Sequence, residues 1–193
     1  MQRMRVTAVV VALAGAVALT SALSSSGASA PARASGAFAW LHPASPPAGW
    51  NLARTPGGAA LAYPPGWTPI KTDPGTASVA LLAADGWIEA YLNATPRMGA
   101  ETLNNWPQFR AQHNRAEGQR DVRLLAAIRD ASFRSGRGAC VIDSYTTSKT
   151  TYREIACLVS GARSSAVVVA AAPSALFDRQ AATLQRAVSS FAA

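Results

Sequence analysis

The segment CVIDSYTTSKTTYREIAC, residues 140–157, holds the only two cysteines of the 193-residue chain, one at each end. Its flanks carry β-branched and aromatic residues around a short polar centre, Thr146 to Thr150, which reads as two strands and a tight connection. A turn centred between Ser148 and Lys149 makes facing residue numbers sum to 297. Cys140 then faces Cys157, Ile142 faces Ile155 and Tyr145 faces Tyr152. Directly opposed residues of an antiparallel pair come close enough for a disulfide, and a loop of this size would contribute about 3 kcal/mol in the chain-entropy model. An antiparallel sheet follows if that register holds.

The same register sets Asp143 opposite Glu154, on the face that carries Tyr145 and Tyr152. Like charges directly opposed are unfavourable, so compensation is expected from solvent, from Arg153 or Arg137, or from a ligand cation. Asp143, Glu154, Tyr145 and Tyr152 are therefore the candidate ligand-binding residues. One reading is a solvated or arginine-bridged pair; the other is a carboxylate pair that binds a cation or works as acid and base. A turn of odd length would abolish the pairing altogether.

Toward the C-terminus, Ser164 to Ala172 contains VVVAAA and reads as a buried strand. Pro173-Ser174 then opens a helix with Ser174 as capping residue, and Phe177, Ala181, Leu184, Val188 and Phe191 repeat at intervals of four and three. Toward the N-terminus, Val122, Leu124, Ala126 and Ile128 alternate as in a strand. Leu103, Trp106, Phe109, His113 and Ala116 fall on one stripe of a helix whose first turn holds Pro107, with Asn104 or Asn105 as its cap. Thr76 to Ala84 and Trp87 to Thr95 form a hairpin around Asp85-Gly86, with Ile88, Ala90, Leu92 and Ala94 on one side. Trp50 to Arg54 and Ala59 to Tyr63 form another hairpin around Pro56-Gly57-Gly58. Pro64-Pro65-Gly66 must end that last strand, because proline lacks the ladder donor, and Trp67 is expected to fold back against the sheet. Strands joined by tight turns, with two helices that need a surface to pack on, imply an antiparallel sheet covered by helices.

Arg3 and Arg5 precede an apolar run from Val6 to Leu23, and SSSGASAPARASG follows. This order of basic, apolar and small residues is that of a signal peptide, residues 1–30, with cleavage between 28 and 34. The run of 18 residues also approaches spanning length, so an uncleaved anchor is the alternative. Residues 31–49 read as a Pro/Ala/Ser-rich linker, leaving residues 50–193 as one domain. The chain has 18 basic and 10 acidic residues; without Arg3 and Arg5 the balance is 16 against 10, a net of +6. That charge suits anionic envelope material, whereas scattered arginines in an exported chain do not suggest nucleic acid.

Sequence motifs exclude several chemistries. His42 and His113 lie in no HExxH context, no serine lies in GxSxG or SxxK, and neither GxGxxG nor GxxxxGK[ST] occurs. Neither a metal nor another cofactor is therefore expected. His113, on the apolar stripe, is expected to be partly buried, and His42 exposed. Among five tryptophans, Trp67, Trp87 and Trp106 are expected in the core, while Trp40 and Trp50 could stack on a ligand.

The turn Tyr63-Pro64-Pro65-Gly66-Trp67 has the form aromatic-Pro-x-Gly-Trp. Alternating strands, a middle helix, a long hairpin, an apolar strand and a closing amphipathic helix ending in Ser190-Phe191 follow it. Over residues 50–192 this order resembles the PsbP-like α/β/α sandwich superfamily, which includes many exported bacterial proteins of unknown role. The resemblance implies an α+β fold: an α/β/α sandwich with a largely antiparallel sheet of six to seven strands and helices on both faces. It leaves function open, since the fold serves unrelated partners. The expectation is a non-catalytic accessory or ligand-binding domain of the cell envelope. Its partner would be an envelope protein, a polymer or a small ligand, and membrane contact would require an uncleaved leader. The alternative is an envelope-acting hydrolase using the carboxylate pair.

Overall fold

A computed structural model describes residues 34–193 apart from 98 and 163; the leader and its cleavage region lie outside the described residues. The chain runs α1 (Ala34–Ala37), β1 (Asn51–Arg54), β2 (Ala60–Tyr63), β3 (Thr68–Pro69), β4 (Ala77–Leu82), β5 (Ile88–Pro96), α2 (Trp106–Ala116), β6 (Arg120–Phe133), β7 (Gly136–Thr146), β8 (Thr151–Gly161), β9 (Ser165–Pro173) and α3 (Ser174–Ser189). Seven strands form one sheet in the order β3-β4-β5-β9-β8-β7-β6, with antiparallel neighbours throughout. β1 and β2 make a separate antiparallel ribbon, tied to the C-terminus by a bridge between Ala60 and Ala192. The expected α/β/α sandwich is present, with α3 on one face of the sheet and α2 on the other.

The β7–β8 hairpin adopts the register summing to 297. Cys140 pairs with Cys157, Ile142 with Ile155, Asp143 with Glu154 and Tyr145 with Tyr152. The two cysteines are disulfide-bonded, their Cα atoms 4.1 Å apart. They face the larger core, where α3 buries Phe177, Leu184, Val188 and Phe191 against Ile155, Val168 and Leu92. The spacing of four and three thus meets an apolar surface along its whole length. Pro173, not Ser174, occupies the N-cap of α3, and no side chain caps it. Ser174 instead starts the helix proper.

The turn after β2 behaves as its composition requires. Gly66 has φ +86°, open to glycine without a Cβ clash, and the Trp67 N–H donates to the Pro64 carbonyl. Trp67 is buried in the larger core. Residues 38–50 hold more structure than a Pro/Ala/Ser-rich composition suggests. Phe38 is buried, and Trp40, Leu41 and Trp50 pack around the same core. Trp87, by contrast, is exposed at the tip of the β4–β5 hairpin, because the sheet ends there and nothing covers that side.

α2 is where periodicity misleads. Its buried residues are Trp106, Pro107 and Asn114, with Arg110 turned inward, whereas His113 and Ala116 are exposed. The helix is rotated from the apolar stripe so that polar side chains meet a polar patch on the sheet. Asn105 does occupy the N-cap, but its amide turns back to accept from the Thr102 N–H and donate to the Ala100 carbonyl.

Candidate functional site

On the α2 face, β7 contributes Asp143 and Tyr145, and β8 contributes Glu154 and Tyr152. Two carboxylates are thus set side by side away from water: Asp143 is 1% and Glu154 0% exposed. Such a pair is tolerable only with a countercharge and hydrogen bonds. Arg110 of α2 supplies the charge: its Nε and Nη2 reach Glu154 Oε1 at 2.7 and 2.6 Å. The Tyr145 hydroxyl donates to Glu154 Oε2 at 3.1 Å, and Asn114 Nδ2 donates to Asp143 Oδ2 at 3.3 Å. The second oxygen of Asp143 has no partner.

The expected counterions lie elsewhere. Arg153 points to the opposite face, pairs with Asp178 at 3.1 Å and lies over the Phe177 ring. Arg137 pairs with Asp130 on the surface. Both arginines belong to the same hairpin as the carboxylates, but alternation turns Arg153 away and sheet position carries Arg137 too far. The residue that completes the site arrives from a helix 44 positions distant in sequence.

Electrostatics divide the two carboxyls. Burial, reinforced by the Glu154 charge and opposed by Arg110, pushes the Asp143 carboxyl up to about 8, so it is largely protonated at neutral pH. Burial disfavours the charge on Arg110 too, yet Glu154, Tyr91 and Asp143 more than offset it and hold the guanidinium above its usual value. At neutral pH the group therefore reduces to one ion pair, Arg110 with Glu154, beside a neutral Asp143. Burial first, then Glu154, raises the phenols of Tyr91 and Tyr145, and burial raises that of Tyr152. The Tyr145 and Tyr152 rings stack at 5.8 Å, with Tyr91 edge-on to Tyr152.

Beside this network α2 leaves part of the sheet uncovered. A cleft of about 470 Å³ opens there. Val167 and Val169 of β9 form its floor, Tyr91 and Asn93 of β5 one side, and Phe109 and His113 of α2 the other. The Phe109 and His113 rings stack nearly parallel, 6.3 Å apart, and Phe109 also stacks on Trp106. Trp106 anchors this wall by donating from its indole nitrogen to the Ala156 carbonyl. Arg110 reaches the cleft, whereas Asp143, Tyr145, Tyr152 and Glu154 do not line it. Those four stand behind the cleft and set the positions of two residues that do, Arg110 and Tyr91.

Sequence reasoning missed Arg110, Tyr91, Asn93 and Phe109 as a group. One signal was readable: alternation in β5 puts Tyr91 and Asn93 opposite the apolar Ala90, Leu92 and Ala94, which marks a face not fully covered by core, although a bulge at Glu89 turns that residue toward Arg179 of α3, away from the face that simple alternation assigns it. Among the described residues no cluster of three or more His, Cys, Asp or Glu side chains is arranged to hold a metal. No helix among them is long and apolar enough to cross a membrane.

No protein-family profile and no curated sequence matches the chain. Solved structures do. The solution structure of cyanobacterial PsbP from Synechocystis sp. PCC 6803 superposes with a TM-score of 0.53 at 14% identity, over 75% of this chain and 92% of that one. A protein of unknown function, PA94 from Pseudomonas aeruginosa, gives 0.48 at 12% identity, over 72% and 94% of the two chains. LpqN of Mycobacterium tuberculosis, involved in cell envelope biogenesis, gives 0.41 at 11% identity, over 74% and 89%. The last two superpose too loosely to bear on function. Seven antiparallel strands between two helical layers, together with the superposition on cyanobacterial PsbP, give this chain the PsbP-like α/β/α sandwich fold.

Proposed function

We propose that the chain is a non-catalytic binding domain working outside the cytoplasm, and that its ligand occupies the cleft between α2 and strands β5 and β9. One observation carries this reading: the open concavity and the Asp143–Glu154 carboxylate pair are separate. The cleft offers an apolar floor, stacked rings and hydrogen-bonding edges, the usual composition of a small-ligand site. Asp143 and Glu154, the pair that the hydrolase alternative would use, are enclosed and committed to Arg110, Tyr145 and Asn114. A general acid must come within hydrogen-bond reach of its substrate, and here α2 stands between.

The disulfide supports an oxidising compartment, in line with the leader-like start of the sequence. A cell-envelope setting, with an envelope polymer, protein or small molecule as partner, extends the same reading.

The test uses the full chain exported and processed by its host. Thermal unfolding is followed against fractionated envelope extract, with wild type beside a Phe109→Ala variant. A fraction that raises Tm in wild type and not in the variant is expected. Turnover of envelope material that disappears in Glu154→Gln would overturn the reading in favour of a hydrolase.

A further inference from the structure

The edge of the sheet formed by β6 carries an apolar pair that the core does not use. Leu124 and Leu125 are 48% and 49% exposed, and among the described residues no other exposed large hydrophobics are consecutive in sequence. Consecutive residues of a regular strand point to opposite faces, so on a sheet with helices on both sides neither should be left in water. Here the register to β7 slips between Leu124, opposite Asp143, and Ala126, opposite Ile142. Leu125 is the extra, unpaired residue, and the bulge leaves both leucines in solvent.

Arginines surround the pair. Arg120 and Arg123 precede it on β6, and Arg129 follows it and donates from Nε to the Asn104 carbonyl at 3.1 Å. Arg115 of α2 reaches over to the strand, where its Nη2 donates to the Val122 carbonyl at 3.4 Å. All four are exposed, and among the described residues none of them is ion-paired. Fewer acids stand nearby. Glu117 and Asp121 lie around the start of the strand, Asp130 is already paired with Arg137, and Asp143 is enclosed under α2. Each guanidinium keeps further donors in a planar fork that matches a phosphate.

Pairing with another strand does not suit this edge. β6 shifts register against β7 three times, and bulges together with charged side chains keep an edge from accepting a further strand. Blunting of that kind calls for polar side chains throughout, and it leaves two adjacent leucines unexplained. A partner that takes apolar side chains at one depth and offers phosphates at the next accounts for leucines and arginines together. We propose that the β6 edge docks this domain on an anionic lipid bilayer, with Leu124 and Leu125 entering the boundary between headgroups and acyl chains and Arg115, Arg120, Arg123 and Arg129 meeting lipid phosphates. Contact of this kind is peripheral and needs no uncleaved leader. β6 stands four strands from β5 in the sheet, so this surface is distinct from the cleft floor and does not depend on what the cleft binds.

Vesicle flotation of the exported, processed chain tests this, with vesicles of phosphatidylcholine alone and of phosphatidylcholine mixed with phosphatidylglycerol. Binding is expected to the mixed vesicles and not to phosphatidylcholine alone, and it should weaken as salt is raised. Arg120→Gln with Arg123→Gln should weaken it about thirtyfold, at roughly fivefold per charge. Leu124→Ser with Leu125→Ser should weaken it about tenfold through lost apolar burial. All four positions are exposed, so both variants should keep the wild-type Tm. Arg179→Gln with Arg186→Gln makes the same change of charge on α3 and should alter binding by less than about twofold, because charges far from the bilayer are screened. Equal binding to both vesicles, leucine variants that bind as wild type does, or an α3 variant that loses as much as the β6 one overturns the proposal. So does a wild type that floats with neither vesicle: a dimer split by the leucine substitutions would then assign the edge to a second copy, and retention on dextran sulfate would assign it to an anionic polymer.

Discussion

The two faces of the central sheet are built on different principles. On the disulfide face, strands and α3 bring together Leu92, Ile155, Val168, Leu184, Val188 and Phe191, all buried. Nothing there depends on direction, and stability scales with the apolar area removed from water. On the α2 face, Trp106, Val141, Ala156 and Leu158 make a smaller apolar cluster, and the rest of the contact is polar. Arg110 and Asn114 meet Glu154 and Asp143, and each group depends on a specific partner. An apolar face tolerates rearrangement, whereas a buried polar one fails abruptly when a single partner is removed.

The sharpest way to break the contrast is Arg110→Met. It leaves Glu154 charged and enclosed without a countercharge and should cost about 3–5 kcal/mol in urea unfolding at neutral pH. Adding Glu154→Leu should recover most of that loss, since replacing both partners removes the unpaired charge. A double variant no more stable than Arg110→Met would mean that the pair is not what holds α2 in place.

Leu184→Ala on the other face should cost about 3 kcal/mol by loss of packing and creation of a cavity. Because the two sites lie on opposite sides of the sheet, its cost should add to that of Arg110→Met within about 0.5 kcal/mol. Strong coupling between them would show that the faces are not independent. Replacing both cysteines by alanine should cost about 2–3 kcal/mol, less than either core lesion leaves room to hide, and reduction of the wild type should reproduce it.

The smallest expected effect is the most specific to the polar face. Asp143 titrates near 3.8 when unfolded and near 8 when folded. Between those values the folded state holds the extra proton. Stability from this group is therefore complete below about pH 4 and is lost as pH rises through about 8. Asn cannot lose a proton, so Asp143→Asn should flatten that slope, matching wild type in acid and exceeding it by about 1 kcal/mol or more in mild alkali. Parallel pH profiles for the two proteins would place the titration elsewhere.

The same contrast explains what was legible in the sequence. The β7–β8 register could be read because side chains alternate with period two and one pair of cysteines pins the count. The opposed carboxylates follow from that register alone. α3 could be read because every residue on its stripe meets apolar surface. α2 could be read only in part: Trp106 of its apolar stripe is buried, but the other inward side chains include Arg110 and Asn114, which hydrophobic periodicity scores as solvent-facing. His113 fits the apolar spacing yet ends exposed on the cleft wall. The countercharge does not come from the hairpin itself because Arg153, next to Glu154, points to the opposite face, and Arg137 lies too far along its strand, paired with Asp130.

Local chemistry by itself determined the strand order within hairpins, the stop at Tyr63, the cysteine pairing, the closing helix and the juxtaposition of Asp143 with Glu154. These depend on turn residues, on period-two alternation and on short spacings, all carried by adjacent residues. Only the tertiary structure decided that Arg110 would answer the carboxylates, and that Tyr91 and Asn93 would line an open cleft. Those outcomes depend on how a helix rotates over a sheet and on which strands lie side by side beneath it. Neither is a property of any one segment.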